Sequence, residues 1–94
     1  MRTPYGSGIA GKLADLGFDL IGENVTTRNG TLDVVARRGD LIVFGGDYDR
    51  MKVAYRVRAA AVAWMSLNPR AQKGVRRYRF DVMNSDGAYY PNAF

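Results

Sequence analysis

Residues 30–44 read GTLDVVARRGDLIVF, and the fold that the sequence predicts follows from this stretch. Residues 31–38 are rich in β-branched side chains, which is typical of a strand. Gly39-Asp40 is a tight-turn signal, and the four residues after it are all apolar. An apolar run of this length predicts a strand that is buried on both faces, at the centre of a sheet.

The residues before this stretch predict a helix and one more strand. Ile9, Leu13 and Leu16 have the spacing of one helix face, and Gly17 stands where a glycine commonly ends a helix. In residues 18–27, Phe18, Leu20 and Val25 predict a strand that is broken by a bend near Gly22, and the Asn-Gly pair after it is a hairpin signal.

The residues after it predict the longest helix and the last strand. Apolar residues recur at steps of four and three over residues 49–67, and Pro69 ends that helix. Residues 77–83 alternate between charged and apolar side chains, as strands do. The order is therefore α-β-β-β-α-β, an α/β fold with a mixed sheet. The 94 residues predict a single domain, with an irregular arm at residues 1–7 and a C-terminal tail at residues 84–94.

The composition excludes several kinds of chemistry. The chain has no Cys and no His, so thiolate zinc sites, cysteine nucleophiles and serine–histidine catalysis are excluded. Its nine acidic residues are eight Asp and the single Glu23. An enzyme built from this set would use carboxylates to hold an oxygen-preferring metal such as Mg²⁺.

The positive charge is concentrated in the second half of the chain. The net charge is +5, and residues 50–94 carry nine basic but only two acidic side chains. Such a basic half indicates a polyanionic partner such as nucleic acid, since Lys and Arg replace the counterions of phosphates. The alternative is a solvated, positively charged surface of a small domain.

No apolar run reaches the roughly 20 residues that a membrane-spanning helix needs. The N-terminal residues also lack the apolar segment of a signal peptide. We therefore expect a cytoplasmic location and no contact with a membrane.

Asp33 is the candidate that the strand pattern singles out. Leu32, Val34 and Ala36 are expected to share one face, which places Asp33 and Val35 on the other. A carboxylate among apolar residues is costly to bury unless it binds something, so Asp33 is a candidate site residue. The alternative is an exposed carboxylate that pairs with Arg37 or with an arginine of the last strand.

Asp47 and Asp49 follow the apolar strand, after two glycines. At this end of the sheet they would be able to approach Asp33 and share a metal ion with it. Asp49 has an alternative role as the N-cap of the long helix, because Asp is among the preferred N-cap residues.

Several motifs in this order resemble the YraN family. This is a bacterial family of small proteins with a restriction-endonuclease-like fold, related to archaeal Holliday-junction resolvases. The resemblance covers most of residues 10–83 and is carried by L-x-x-x-G-F at residues 13–18, Asn24, the stretch 30–44, AYRVRAAAVAWMSLNPR at residues 54–70 and RYRFDV at residues 77–82.

The resemblance implies a restriction-endonuclease-like α-β-β-β-α-β core with a metal-dependent site. In the family, a Gly-Glu-(Ile/Leu)-Asp motif and a downstream Glu-x-Lys motif bind Mg²⁺ and activate water for phosphodiester cleavage. Asp33 matches the Asp of the first motif, but Thr31 stands where the family usually has Glu. After Phe44 the chain reads Gly-Gly-Asp-Tyr-Asp-Arg where the family has Val-Glu-Val-Lys-Thr-Arg. The first helix also lacks the family's Glu, so most of the catalytic pattern is missing.

Three hypotheses follow. The first is a YraN-like nuclease fold that binds duplex or branched DNA, with Asp33 vestigial and catalysis lost or weak. The second is an active endonuclease that uses Asp33 with Asp47 or Asp49, and in which Asp33 and Asp47 hold Mg²⁺ or Mn²⁺. The third is a small interaction protein or homodimer that pairs through a sheet edge exposed after Phe44. The residues that the first hypothesis assigns to phosphate contacts are Arg56, Arg70, Lys73, Arg76, Arg77 and Arg79.

Overall fold

The fold is built on one mixed sheet of five strands in the order β1-β2-β3-β4-β5. A computed structural model describes residues 8–47, 54–84 and 86–93, with the backbone alone at Asp47 and at residues 54–56. The elements in chain order are α1 (Ile9–Asp15), β1 (Asp19–Thr27), β2 (Gly30–Arg38), β3 (Leu41–Asp47), α2 (Ala54–Leu67), the 3₁₀ turn η1 (Pro69–Gln72), β4 (Arg77–Met83) and β5 (Tyr89–Tyr90).

The predicted order α-β-β-β-α-β is confirmed, and β5 adds a short fifth strand from the tail. Strands β1, β2 and β3 form an antiparallel meander. Strand β4 lies parallel to β3, as expected after a helical crossover, and β5 pairs antiparallel to β4. The predicted arm at residues 1–7 and the predicted start of the long helix at residues 49–53 lie outside the described residues.

Each face of the sheet is covered by one helix and has its own apolar cluster. The face under α2, called the α2 side, buries Leu32, Val35, Ile42, Phe44, Val57, Ala60, Ala61, Trp64 and Val82. The face under α1, called the α1 side, buries Ile9, Ala10, Leu13, Phe18, Val34, Ala36, Leu41 and Val43. Side chains of β3 alternate between the two clusters, because successive residues of a strand point to opposite faces.

Helix α1 ends in a left-handed turn at Gly17, whose φ is 88°. The Gly17 amide donates to the Ala14 carbonyl, and the Phe18 amide donates to the Leu13 carbonyl, both at 3.0 Å. This pair of bonds is the Schellman pattern, which a glycine favours because it has no Cβ. The buried side chains of Leu13 and Phe18 then join the same cluster and fix α1 on the sheet.

Strand β3 lies between β2 and β4, and its pairing with β4 continues to Asp47↔Met83. After Phe44, β4 therefore covers one edge of β3, while the pairing of β2 with the other edge ends at Gly45. The outer strands of the sheet are β1 and β5. The pairing of two copies through the edge after Phe44 stays a prediction. In the part of the chain that the structure describes, neither helix has the length and apolar character of a membrane span.

Candidate functional site

Asp33 lies on β2 at the position where the pairing of β2 with β3 ends. That pairing runs from Arg38↔Leu41 to Val34↔Gly45, and Asp33 is the next residue of β2. Between Asp33 and its first residue, Gly30, β2 stays paired with β1. Strand β3 meanwhile continues beside β4. The Asp33 side chain is half-buried at this junction of the strands.

The predicted alternation around Asp33 is broken. Leu32 packs on the α2 side with Val35, whereas Val34 packs on the α1 side, so the expectation that Leu32 and Val34 share a face was wrong. The break lies between the pairs Glu23↔Val34 and Val25↔Leu32, where the partner strand β1 has a left-handed residue, Asn24, at a φ of 50°. The register shift of β1 lies further along, between Leu20 and Gly22, where β2 keeps its alternation.

The two acidic residues that would share a metal ion with Asp33 fall outside the described side chains. Asp47 ends β3 beside Met83, but its side chain, like all of Asp49, lies outside the described residues. Whether these carboxylates approach Asp33 stays a prediction. Within residues 8–47, 54–84 and 86–93, no group of three or more acidic, His or Cys side chains is placed to hold a metal ion.

Gly45 is placed so that α1 can approach the sheet near this junction. A Cβ at Gly45 would lie 2.8 Å from Cγ1 of Val34 and 3.1 Å from Cδ1 of Ile9. Since real side chains do not tolerate such a distance to Cγ1, the position needs a residue without a side chain. The glycine after Phe44 thus has a packing role, whatever the role of the acids that follow.

Most of the predicted phosphate-binding residues lie at the opposite end of the sheet. Arg77 begins β4 beside Leu41, the first residue of β3. Gly46, which follows the last residue of β3 that pairs with β2, is five residues further along, a separation of about 16 Å from Leu41 along the strand. Arg70, Lys73 and Arg76 precede Arg77 and are exposed. This group of four residues is called the basic end. The backbone of Arg56 lies in the first turn of α2, and its side chain is not among those described.

Arg77 forms an exposed ion pair with Asp40, with 2.8 Å between Nη2 and Oδ1. The hydrogen bond from Arg77 lowers the pKa of Asp40 below its usual value. The amides of Arg76 and Arg77 also donate to the Asp40 carbonyl, at 2.7 and 3.0 Å. The turn between β2 and β3 therefore fixes the start of β4.

Arg79 is directed towards a buried carboxylate. Its Nε donates to Oδ1 of Asp81 at 2.8 Å and its Nη2 donates to Oδ2 at 2.9 Å, a bidentate pair. Asp81 has no exposed surface, and the Arg79 side chain keeps 26% of its own. The hydrogen bonds to Asp81 raise the pKa of Arg79. With its guanidinium committed in this way, Arg79 is left out of the basic end.

Two residues of the tail complete the surroundings of Asp81. The Tyr89 hydroxyl donates to Oδ2, and the Asn92 amide donates to Oδ1 at 2.8 Å. Burial, together with the bond to Asp81, raises the pKa of Tyr89 to about 12. Four donors thus satisfy one buried charge, which is what its burial requires.

Sequence reasoning missed this network, because Arg79 was assigned to a phosphate contact and Asp81 was expected only to alternate with the apolar residues of β4. The available signal was the spacing of Arg79 and Asp81, two residues apart on one face of a strand. The Arg79 guanidinium also lies over the Phe18 ring, 5.8 Å from its centroid, so the network contacts the α1-side cluster.

The chain is similar to two curated relatives, while no family model matches it. A UPF0102 protein of Rhizorhabdus wittichii is 39% identical over 75 residues, which cover 71% of this chain and 64% of that protein. A UPF0102 protein of a Parafrankia species is 32% identical over 94 residues, covering 85% of this chain and 77% of that protein.

With its mixed sheet and two covering helices, the protein has the small α/β fold that the resemblance implied. The chain belongs to the UPF0102 family, which is the YraN family. The resemblance drawn from the motifs is confirmed. The chain spans 64% of the length of the Rhizorhabdus relative.

Proposed function

We propose that this UPF0102 protein has a nuclease-like fold that binds nucleic acid through the basic end, with catalysis lost or weak. The observation that carries the proposal is the exposure of Arg70, Lys73 and Arg76 within seven residues of chain. Among the residues that the structure describes, none of these three side chains is in an ion pair. Exposed cations of this kind are the groups that displace counterions from phosphates.

Other arginines near the basic end are held by the fold and add to its positive potential. Arg37 donates to the Gly39 carbonyl at 2.9 Å and to the Ala71 carbonyl at 3.1 Å. Arg38 donates to the Leu16 carbonyl at 3.0 Å. Neutral carbonyl partners leave the charge of both guanidiniums uncompensated, so these residues support the attraction of a polyanion.

The proposal is tested with two double variants that each remove two exposed arginines. Arg70→Ala/Arg76→Ala alters the basic end, and Arg28→Ala/Arg58→Ala is the charge-matched control. Affinity for labelled duplex and branched DNA is measured by fluorescence anisotropy between 50 and 200 mM salt. We expect wild-type affinity to fall with salt. In the basic-end variant, the slope of log affinity against log salt should decrease by about 0.9 for each phosphate that the protein no longer neutralises.

Two results would contradict this assignment. Binding that is undetectable at 50 mM salt, or unchanged up to 200 mM, would exclude the proposed nucleic-acid partner. An equal weakening of binding in the two double variants would show that overall charge, and not the basic end, determines the affinity.

The second candidate is an active Mg²⁺- or Mn²⁺-dependent endonuclease that uses Asp33 with Asp47 or Asp49. It is favoured by the position of Asp33 at the junction where β2 leaves β3, the strand that Asp47 ends. Labelled branched and single-stranded DNA is incubated with each metal and either the wild type or Asp33→Asn. Cleavage that is lost in Asp33→Asn supports this candidate, and cleavage that survives the substitution contradicts it.

A further inference from the structure

The α2 side of the sheet is only partly covered by its helix. Helix α2 packs against β1 and β2, and its Trp64 also contacts Phe44 of β3. Tyr78 is 43% exposed and Tyr90 is 48% exposed, while Phe80 is half-buried between them. These three residues are called the aromatic stripe.

Strand geometry places the stripe on one face. Tyr78, Phe80 and Val82 alternate along β4, and Val82 belongs to the α2-side cluster. Tyr90 is paired with Val82 across β4 and β5, and paired residues of antiparallel strands share a face. Tyr78 and Phe80 are about 7 Å apart along the strand.

The Tyr78 ring is held in place by a neighbouring ring on the same face of the sheet. It lies nearly parallel to the Phe44 ring, with centroids 6.2 Å apart and 13° between the planes. Its hydroxyl donates to Oε1 of Gln72 in η1 at 3.3 Å. Phe44 also stacks with Phe80, with 5.5 Å between the ring centroids. Two residues of the stripe therefore contact the same buried aromatic ring. A ring that is both fixed and exposed loses little conformational freedom when it stacks on a ligand.

A cavity opens at the Tyr90 end of the stripe. Its volume is about 540 Å³, within the range of small-ligand pockets. Its lining combines apolar side chains, an aromatic ring and one amide: Val82, Asn84, Tyr90, Pro91 and Ala93.

Cations flank the Tyr78 end of the stripe. Ala71 and Val75 pack against the α2-side cluster, which places η1 and the residues after it on the same side of the sheet as Tyr78. The exposed Arg70, Lys73 and Arg76 belong to this segment. An aromatic surface beside cations is complementary to a ligand with flat rings joined by phosphates.

We propose that the aromatic stripe stacks the bases of single-stranded nucleic acid while the basic end contacts the phosphates. The inference rests on the proposed function and adds the class of strand. In a duplex the faces of the bases are hidden within the stack, whereas unpaired bases can stack on aromatic side chains. The aromatic stripe therefore favours the binding of single strands over duplexes, a preference that the basic end alone would not give.

The test compares a mixed-sequence single strand with the matching duplex, using Tyr78→Ala, Tyr90→Ala and Tyr78→Phe. We expect each Ala variant to lower single-strand affinity by about 5- to 150-fold, the range found when one stacking residue is removed, and to leave duplex affinity unchanged. Tyr78→Phe keeps the ring and therefore keeps the affinity. Leu67→Ala is the control, since Leu67 is 77% exposed and lies outside the stripe.

A second probe separates stacking from charge. A strand of the same length that carries abasic sites has the same phosphates but no bases, so it should bind more weakly than the normal strand. Fluorescence of the buried Trp64 verifies that each variant is folded.

The outcomes distinguish this inference from the proposed function. Salt-dependent duplex binding with no effect of Tyr78→Ala or Tyr90→Ala on single strands overturns the stacking surface and leaves the basic end standing. Equal binding of the abasic and normal strands also overturns it. If nothing binds at 50 mM salt, both proposals fail. If Tyr78→Ala instead dissociates a dimer in light scattering without changing single-strand affinity, the stripe is an interface between two copies and the proposal is wrong.

Discussion

The two faces of β4 use charged and aromatic residues in opposite ways. On the α1 side, Arg79 and Asp81 form a pair whose carboxylate is completely buried. On the α2 side, Tyr78 rests on Phe44 and keeps 43% of its surface exposed. The comparison shows that an arginine-rich strand does not by itself indicate an anion-binding surface. What matters is whether each guanidinium is already paired with a buried carboxylate within the fold.

The largest loss of stability should come from removing the buried carboxylate on the α1 side of β4. Asp81→Ala leaves Arg79 without its counter-charge, and we expect a loss of about 3 kcal/mol in the free energy of unfolding. This is the lower end of the range for one partner of a buried pair, because the Arg79 side chain is 26% exposed. Urea denaturation measures the loss.

Asp40→Ala is the matched control, because it also removes the carboxylate partner of an arginine of β4. This pair is exposed, so its removal should change the stability little. Equal losses of stability in Asp81→Ala and Asp40→Ala would mean that burial does not distinguish the two pairs.

A smaller effect should appear at high pH through Tyr89. Its pKa is raised from 10 to about 12 in the folded protein, so the folded state keeps this proton while the unfolded state releases it. The stabilisation is fully present below pH 10 and is lost as the pH rises from 10 through about 12.

Stability measured between pH 9 and 12 should therefore fall less steeply in Tyr89→Phe than in the wild type. The neighbouring Tyr90→Phe, on the other face of the sheet, is expected to keep the wild-type slope. A Tyr89→Phe curve parallel to that of the wild type would show that the Asp81 network does not hold the proton.

The helices and the first four strands could be predicted from the sequence because their signals are local. Turn glycines, an apolar run and helical spacing each act within a few residues. The face on which Leu32 lies could not be predicted in this way, because β2 itself carries no signal of a break and the left-handed Asn24 lies in the partner strand. Strand β5 was missed because it has only two residues, which are held in a strand by pairing with β4 and by the hydrogen bond from Tyr89 to Asp81.

The candidate site was predictable only in part, for a similar reason. The strand pattern and the motif singled out Asp33, which lies half-buried at a strand junction, and its role as a site residue stays a prediction. The separation of Asp33 from the basic end depends on strand direction in the sheet, which no local pattern gives. Alternation along β4 showed which side chains share a face of the sheet. It did not show which of the two faces is buried by the rest of the protein.

The way in which Asp81 is satisfied has a consequence for synthesis of the chain. Its donors Tyr89 and Asn92 come eight and eleven residues later in the sequence. A nascent chain that has emerged only as far as Met83 would carry this acid with two of its four donors missing. Folding on the ribosome should therefore remain incomplete until the tail emerges, although every residue of the first four strands is already available.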